Sequence, residues 1–164
     1  MQWGRSIMGT VPVMAPIVLR KNMWQTKRPH ATQKRGDVLM KEVFCSPDAP
    51  SPMGAYSAVI KHGNWVFVSG VGPEDHVTHA AKGKTIEEQT RFALDNLLAQ
   101  LQAVGANAED VVKVNVYLKD LDGFARFNEV YATCFPDPKP ARTTVGCDLI
   151  NGIMIEMDAI AVLG

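Results

Sequence analysis

Two charged residues in the most apolar part of the chain constrain its fold more than any other feature. The stretch 140–164 predicts two strands, 142–148 and 153–162, joined by a short turn that contains glycine. Arg142 begins the first strand and Glu156 lies inside the second, and most of their neighbours are apolar. A buried charge is costly unless it is paired or used, so the two residues form a structural ion pair or belong to a site.

Their mutual position stays open at this level. A plain four-residue hairpin loop at 149–152 would place Val145 opposite Glu156 and turn Arg142 to the other face, because side chains alternate along a strand. A one-residue bulge, a register slip or a neighbouring subunit would be needed to bring the two charges together. A solvated Glu156 beside Asp158 is a further alternative.

Length and charge limit the class of protein. The 164 residues predict one domain with its own core, and no apolar run approaches the length of a membrane span. The net charge of zero hides an uneven distribution, since residues 1–36 hold seven Lys or Arg and no acid, leaving ten basic against seventeen acidic residues from Asp37 onward. An acidic domain repels phosphate backbones, so nucleic acid is not the expected main partner.

The basic segment 1–36 differs from the domain predicted for 37–164. It fits a mitochondrial transit peptide, a structured N-terminal arm, or an extension or cloning remnant upstream of a start at Met40. The odd number of cysteines and the lack of a CxxC pair favour free thiols in a reducing compartment, which indicates a cytoplasmic or mitochondrial protein. The cysteines are Cys45, Cys134 and Cys147.

From residue 41 onward the apolar pattern alternates between strands and helices. Strands are predicted at 41–45, 58–61, 65–69 and 111–119, and helices from a capping box at Thr85 and around 122–134. The strand at 111–119 is predicted to turn inward Val112, Val114, Val116 and Leu118. The second helix is predicted to bury Phe124, Phe127, Val130 and Tyr131. The order fits an α+β architecture with two helices packed on one face of a mostly antiparallel or mixed sheet.

Few local motifs indicate chemistry by themselves. His76 and His79 lie in a loop without a third ligand nearby, so no metal site is predicted. No nucleotide-binding or nucleophile-elbow motif is present. Ser69-Gly70 ends a strand, where a glycine either lets the backbone approach a ligand or only terminates the strand. Asn128 on the second helix serves a site or a neighbouring loop equally well.

A series of short motifs runs from residue 49 to the C-terminus. They are Ala49-Pro50, Gly54-Ala55-Tyr56-Ser57, Gly63-Asn64, Val68-Ser69-Gly70, Glu88-Gln89-Thr90, Asn96-Leu97, Val111-Val112-Lys113, Asp120, Phe124, Asn128, Tyr131, Pro140-Ala141-Arg142 and Glu156. In this combination and order, residues 41–163 resemble the reactive intermediate deaminase family (Rid, YjgF).

The resemblance implies a chorismate-mutase-like α+β fold, assembled as a homotrimer with clefts between subunits. It also implies hydrolysis of 2-aminoacrylate-type enamines and imines, by-products of pyridoxal-phosphate enzymes, to 2-keto acids and ammonia, without a cofactor or metal. Arg142 matches the family's carboxylate-binding arginine and Glu156 its water-positioning glutamate. The positions matched to the substrate pocket are Tyr56, Ser69, Gly70, Asn128 and Thr144.

Four positions depart from the pattern of the well-characterised deaminases. They are Ala55, Val71, Thr144 and Ile150, where that pattern has Pro, Gln, Cys and Pro. These departures predict a pocket with its own lining. A non-catalytic trimer that binds or senses a 2-keto or amino acid is the alternative function, and a ribonuclease fits the acidic domain less well.

Overall fold

The computed structural model describes residues 40–164, which form a six-stranded mixed sheet with two helices on one face. The elements are β1 (Glu42–Phe44), β2 (Val59–His62), β3 (Trp65–Val71), α1 (Ile86–Gln102), β4 (Val111–Leu118), α2 (Phe124–Tyr131), β5 (Ala141–Gly146) and β6 (Ile155–Val162). The predicted α+β class is confirmed. The segment 1–36 lies outside the described residues, and so does the start of the domain predicted at Asp37. No helix among residues 40–164 is long and apolar enough to cross a membrane.

The strand order is β1-β2-β3-β6-β4-β5, and it corrects the predicted C-terminal hairpin. β6 pairs antiparallel with β3 and β4, whereas β5 pairs parallel with the outer side of β4. A parallel pair needs a crossover, and α2 supplies it between β4 and β5. β4 therefore lies between the two strands that the short connecting turn had suggested as neighbours.

Two predicted core positions are exposed. A register shift between Val111 and Lys113 turns Val112 outward, where it is 45% exposed, and Val111 takes its place in the core. The bulge explains the error, because one extra residue reverses the alternation at the strand's start. Phe124 is 40% exposed at the first position of α2, where it faces β5 rather than the core.

The helix ends follow the sequence signals. The Thr85 hydroxyl accepts the N–H of Glu88 at 3.3 Å, and the Glu88 carboxylate accepts the N–H of Lys84 at 2.7 Å. After α1, Gly105 adopts a φ of +80°, which favours glycine, and the chain turns toward β4. Both signals therefore mark the bounds of the first helix.

The two faces of the sheet differ. The face covered by α1 and α2 holds the core, whose largest buried side chains include Leu97, Leu101, Leu118, Phe127, Ile155 and Met157. On the other face Trp65 and Phe67 stack on each other and remain 50% and 43% exposed. This second face, called here the open face, also carries the polar side chains of β4 and β6. It is the face on which Glu156 lies.

Candidate functional site

A cavity of about 400 Å³ lies at the end of β3 beside Glu156. Four of the predicted site residues line it: Tyr56, Ser69, Gly70 and Glu156. Two of the positions that depart from the deaminase pattern, Val71 and Ile150, line it as well. Its volume is in the range of small-molecule sites.

The carboxylate of Glu156 packs directly on the backbone of Gly70. A methyl group built on Gly70 would lie 3.0 Å from Cδ of Glu156 and closer still to Oε1, so only glycine leaves room for the carboxylate in this position. Within residues 40–164 the carboxylate accepts no hydrogen bond and forms no ion pair. Burial raises the pKa of Glu156, and the negative charges of Glu74 and Asp158 raise it further.

Tyr56 reaches the cavity from the loop between β1 and β2. The buried Gln100 of α1 anchors that loop, since its Oε1 accepts the N–H of Ser46 at 2.9 Å and its Nε2 donates to the Pro50 carbonyl at 3.3 Å. The Ser69 hydroxyl donates to the carbonyl of Ser57 at 2.8 Å. Ser69 thus fixes the loop to β3 and has no free hydroxyl proton to offer.

Arg142 lies on the opposite side of the sheet, facing α2. Its Nη2 donates to Oδ1 of Asn128 at 2.9 Å, and its Cζ lies 4.5, 5.3 and 5.6 Å from the ring centres of Tyr131, Phe127 and Phe124. Stacking of this kind holds a guanidinium in place without neutralising its charge. Burial raises the pKa of Tyr131 to about 12, so that ring remains neutral.

The predicted site residues therefore fall into two groups within one chain. Tyr56, Ser69, Gly70 and Glu156 line the cavity, whereas Arg142 and Asn128 are bonded to each other on the helix-covered side. Thr144 lies two residues beyond Arg142 on the same side of β5 and does not line the cavity. No ion pair joins Arg142 to Glu156 among the described residues, so the structural ion pair is wrong for a single chain.

Sequence reasoning missed the two other ionisable side chains that line the cavity, Glu74 and His79. The sequence places His76 and His79 in a loop and suggests for them only a metal pair that lacks further ligands. A weak signal existed, since Gly70 and Gly72 are one residue apart at the end of a strand. No group of three or more His, Cys, Asp or Glu within residues 40–164 is arranged to hold a metal ion.

The fold and the site together define the class of protein. It is an α+β protein with two helices on one face of its sheet and an acidic cavity at the end of β3. The sequence model of the family described as Endoribonuclease L-PSP matches residues 46–163, and the chain belongs to this family, the Rid or YjgF family indicated by the motifs.

Several relatives and solved structures of the family match over nearly their whole length. A RutC family protein of Pyrococcus horikoshii is 46% identical over 123 residues, which are 74% of this chain and 98% of the relative. A 2-iminobutanoate/2-iminopropanoate deaminase of Dermatophagoides farinae is 34% identical over 125 residues, 75% of this chain and 97% of the relative. The crystal structure of E. coli TdcF with bound serine is 31% identical, with a TM-score of 0.70 over 74% of this chain and 98% of TdcF.

Proposed function

We propose that the protein hydrolyses 2-imino acids and their enamine tautomers to 2-keto acids and ammonia, in a site formed between two copies of the chain. The observation that carries the proposal is that Glu156 lies in a ligand-sized cavity, whereas Arg142 faces away from it, and within residues 40–164 neither has an oppositely charged partner. The deaminase name of the relative from Dermatophagoides farinae supports the reaction class.

A second copy is required because, within one chain, the proposed base Glu156 and the proposed carboxylate-binding Arg142 lie on opposite sides of the sheet. β5 is an edge strand that carries Arg142, and an edge is a natural place for another subunit to dock. The open face exposes a stacked pair of aromatic rings, Trp65 and Phe67, at 50% and 43%. A head-to-tail contact that closes as a ring of three, with the open faces inward, covers this surface and brings Arg142 of one copy to the Glu156 cavity of the next.

In the proposed site Arg142 binds the substrate carboxylate. A guanidinium forms two parallel hydrogen bonds with a carboxylate, and the hydrogen bond from Arg142 to Asn128 together with the three aromatic rings holds it ready for this contact. Tyr56 covers the bound substrate from the β1–β2 loop of the copy that supplies Glu156. Thr144 lies beside Arg142 on β5 of the neighbouring copy. Hydrogen bonds to a buried guanidinium select acids over neutral analogues.

Glu156 is proposed as the base that activates water. Its carboxylate has no hydrogen-bond donor among the described residues, and its pKa is raised by burial, so it is better suited to take a proton than a solvated glutamate. Attack of the water on the imine carbon and loss of ammonia then give the keto acid. Gly70 lets the carboxylate lie against the backbone of β3 in the cavity wall.

Mixing two inactive variants tests the shared site directly. Arg142→Ala and Glu156→Gln are each expected to lose turnover with 2-iminobutanoate. If the two are unfolded, mixed and refolded, random assembly into closed trimers regenerates about a quarter of the sites with both residues intact. Recovery near this level supports a site between chains, and no recovery beyond the sum of the two variants contradicts it.

Ligand binding without turnover is the second candidate function. The bound serine of E. coli TdcF shows that a relative holds an amino acid, whose carboxylate is the group that Arg142 is proposed to bind. Release of keto acid and ammonia by the wild-type protein in an enamine-generating dehydratase reaction separates the two functions. Binding of 2-ketobutyrate without any turnover supports the sensor. A ribonuclease is disfavoured because no Lys or Arg among residues 40–164 of one chain lines the cavity, and Arg142 is the one cation proposed to reach it from the next copy.

Residues 1–36 are proposed as a segment separable from the catalytic domain, since the family match begins only at residue 46. A chain that begins at Met40 is expected to keep its turnover and assembly. Loss of assembly would favour the N-terminal arm over a transit peptide or an extension. Import into isolated mitochondria followed by cleavage would favour the transit peptide and a mitochondrial location.

A further inference from the structure

The cavity holds a second carboxylate besides that of Glu156. A methyl group built on Gly72 would lie 2.5 Å from Oε2 of Glu74, just as one on Gly70 would meet the carboxylate of Glu156. Gly70 and Gly72, separated by one residue at the end of β3, therefore each leave room for one of the two carboxylates. Both acids line the same cavity.

The backbone of Glu74 is fixed, whereas its carboxylate is free. Nδ2 of Asn96 on α1 donates to the carbonyls of Gly72 and Glu74 at 2.8 and 2.9 Å, and Glu74 bridges to Ala81 across the loop. Within residues 40–164 the Glu74 carboxylate accepts no hydrogen bond and forms no ion pair. The fold thus holds an unpaired acid at a fixed place in the cavity wall.

His79 from the same loop also lines the cavity. Its φ is +57°, a left-handed conformation that costs energy for a residue other than glycine and often marks a functional place. Its Nδ1 is buried without a partner among the described residues, although buried polar atoms are nearly always hydrogen-bonded. The loop is held by Asp75, whose carboxylate accepts the N–H groups of Val77 and Thr78 at 3.0 and 2.9 Å. An unpartnered, rigidly placed polar atom at a cavity wall indicates a ligand or ordered water there.

The carboxylates of Glu74 and Glu156 interact electrostatically. After burial, the charge of Glu74 is the largest cause that raises the pKa of Glu156, followed by the charge of Asp158. The groups that face Glu156 are Glu74 and His79 from the β3–α1 loop, Tyr56 from the β1–β2 loop, Tyr117 of β4, Asp158 of β6 and, in the proposed trimer, Arg142 of the next copy. The negative charge of Glu74 thus disfavours the ionised form of Glu156 and favours transfer of a proton to it.

We propose that Glu74 is a second catalytic carboxylate, which takes the hydroxyl proton of the tetrahedral intermediate while Glu156 serves the water and the nitrogen. This inference rests on the proposed function. In the first step Glu156 takes a proton from water as the oxygen–carbon bond forms and the C=N electron pair moves to nitrogen. The iminium and water thereby become a neutral carbinolamine and a protonated Glu156.

The second half of the reaction uses the other acid. Glu156 gives its proton to the amine, the carbon–nitrogen bond breaks with its electron pair on nitrogen, and ammonia leaves. Glu74 takes the hydroxyl proton as the C=O bond forms and then passes it to the ammonia. The sum is iminium plus water to keto acid plus ammonium, with both carboxylates returned to their ionised state.

Separate roles for Glu156 and Glu74 in the proton transfers explain why both acids lie in one cavity. A single carboxylate would have to move between the attacking oxygen, the nitrogen and the hydroxyl in turn. General acid–base assistance at one such step is typically worth about 10²–10⁴-fold in rate. Loss of Glu74 therefore should cost less than loss of Glu156, because Glu156 serves two steps and Glu74 one.

The test compares Glu74→Gln with wild type and with a matched control, Glu109→Gln, in the full-length protein. Glu109 is exposed and lies outside the cavity. With 2-iminobutanoate generated in the assay, Glu74→Gln is expected to lower kcat by roughly 10²-fold, the low end of that range, while KM and the affinity for 2-ketobutyrate stay within about twofold. Removing a neighbouring negative charge lowers the pKa of Glu156, so the acidic limb of the kcat/KM profile should move to lower pH.

The possible outcomes are distinguishable. Equal kcat and an unmoved acidic limb in Glu74→Gln, with wild type active, overturn the inference and leave the proposed function intact. A raised KM with unchanged kcat makes Glu74 a binding residue and also overturns it. A wild-type protein without any turnover overturns both proposals. Circular dichroism and the melting temperature of each variant establish that a lost rate is not a lost fold, and Glu74→Asp, which retains the acid, should restore part of the rate.

Discussion

The two charged residues of the C-terminal strands are held in opposite ways. Arg142 is fixed by a hydrogen bond to Asn128 and by three aromatic rings, whereas Glu156 lies against bare backbone without a single hydrogen-bond donor among the described residues. A residue that anchors a substrate needs a constant charge and a constant position. A residue that accepts protons must not have its ionised form strongly stabilised by hydrogen bonds or opposite charges, because these would lower its pKa. The difference in surroundings therefore matches the difference in proposed role.

Replacing the anchor is expected to have the largest effect. Arg142→Ala should weaken binding of 2-ketobutyrate by roughly 10²–10⁴-fold, because two charge-assisted hydrogen bonds of about 1.5–3 kcal/mol each are lost. Turnover should fall below detection. Calorimetric titration measures the affinity, and a coupled keto-acid assay measures the rate.

Two further substitutions sharpen this result. Arg142→Lys should recover little, since an ammonium lacks the planar pair of donors. Arg126→Ala is the matched control, because Arg126 forms only a surface ion pair with Glu87 at 3.5 Å. An affinity of Arg142→Ala within a few-fold of wild type would show that the carboxylate is held elsewhere.

Replacing the base should separate rate from binding. Glu156→Gln keeps the size of the side chain but accepts no proton, so kcat should fall by about 10²–10⁴-fold while 2-ketobutyrate binds almost as before. The same titration and assay apply. If Glu156→Gln loses 2-ketobutyrate affinity and kcat to the same extent, Glu156 contributes to ground-state binding. Glu156 and Arg142 would then not have different roles.

The fold class followed from local patterns, and the strand order did not. The periodicity of α1 and the alternation of β4 after its register shift are set by neighbouring residues, so they were predictable. The insertion of β4 between β5 and β6 depends on which distant strands pair, and a short loop gave no hint of it.

The candidate site was predictable in part for the same reason. Arg142 and Glu156 are conspicuous because charges in apolar strands are costly. Glu74 and His79 are ordinary polar loop residues in the sequence. Their direction depends on a turn closed by the carboxylate of Asp75, and no periodic pattern encodes it.

The contact between Gly70 and Glu156 gives a third test, of intermediate size. Gly70→Ala places a methyl group where the carboxylate lies, so the carboxylate must move. Displacement of a catalytic group by about 1 Å costs on the order of 10²-fold in rate. Steady-state kinetics should show this loss with little change in 2-ketobutyrate affinity.

Gly123→Ala is the control for this test. A methyl group on Gly123 would make only ordinary contacts, the nearest at 3.5 Å from Ile86, and the residue has no positive φ. It should leave the rate unchanged. If Gly70→Ala keeps the full rate, the position of the Glu156 carboxylate against β3 is not needed for the reaction.

The smallest expected effect concerns stability. The folded-state pKa of Glu156 is raised above its usual value of 4.5, so its contribution to stability is complete below that value and is lost as pH rises through the raised pKa. The amide of Glu156→Gln does not titrate. The melting temperature of Glu156→Gln relative to wild type should therefore rise by a small amount between about pH 4 and pH 7.

The measurement should be made in the Arg142→Ala background as well. In the proposed trimer the neighbouring guanidinium opposes the raised pKa of Glu156, so removing it should make the difference between Glu156→Gln and its parent larger. Differential scanning calorimetry at several pH values measures both pairs. If the difference in melting temperature between Glu156→Gln and its parent is the same at every pH in both backgrounds, the Glu156 carboxylate is solvated like a surface acid. Glu156 would then not be the unstabilised base that the comparison with Arg142 requires.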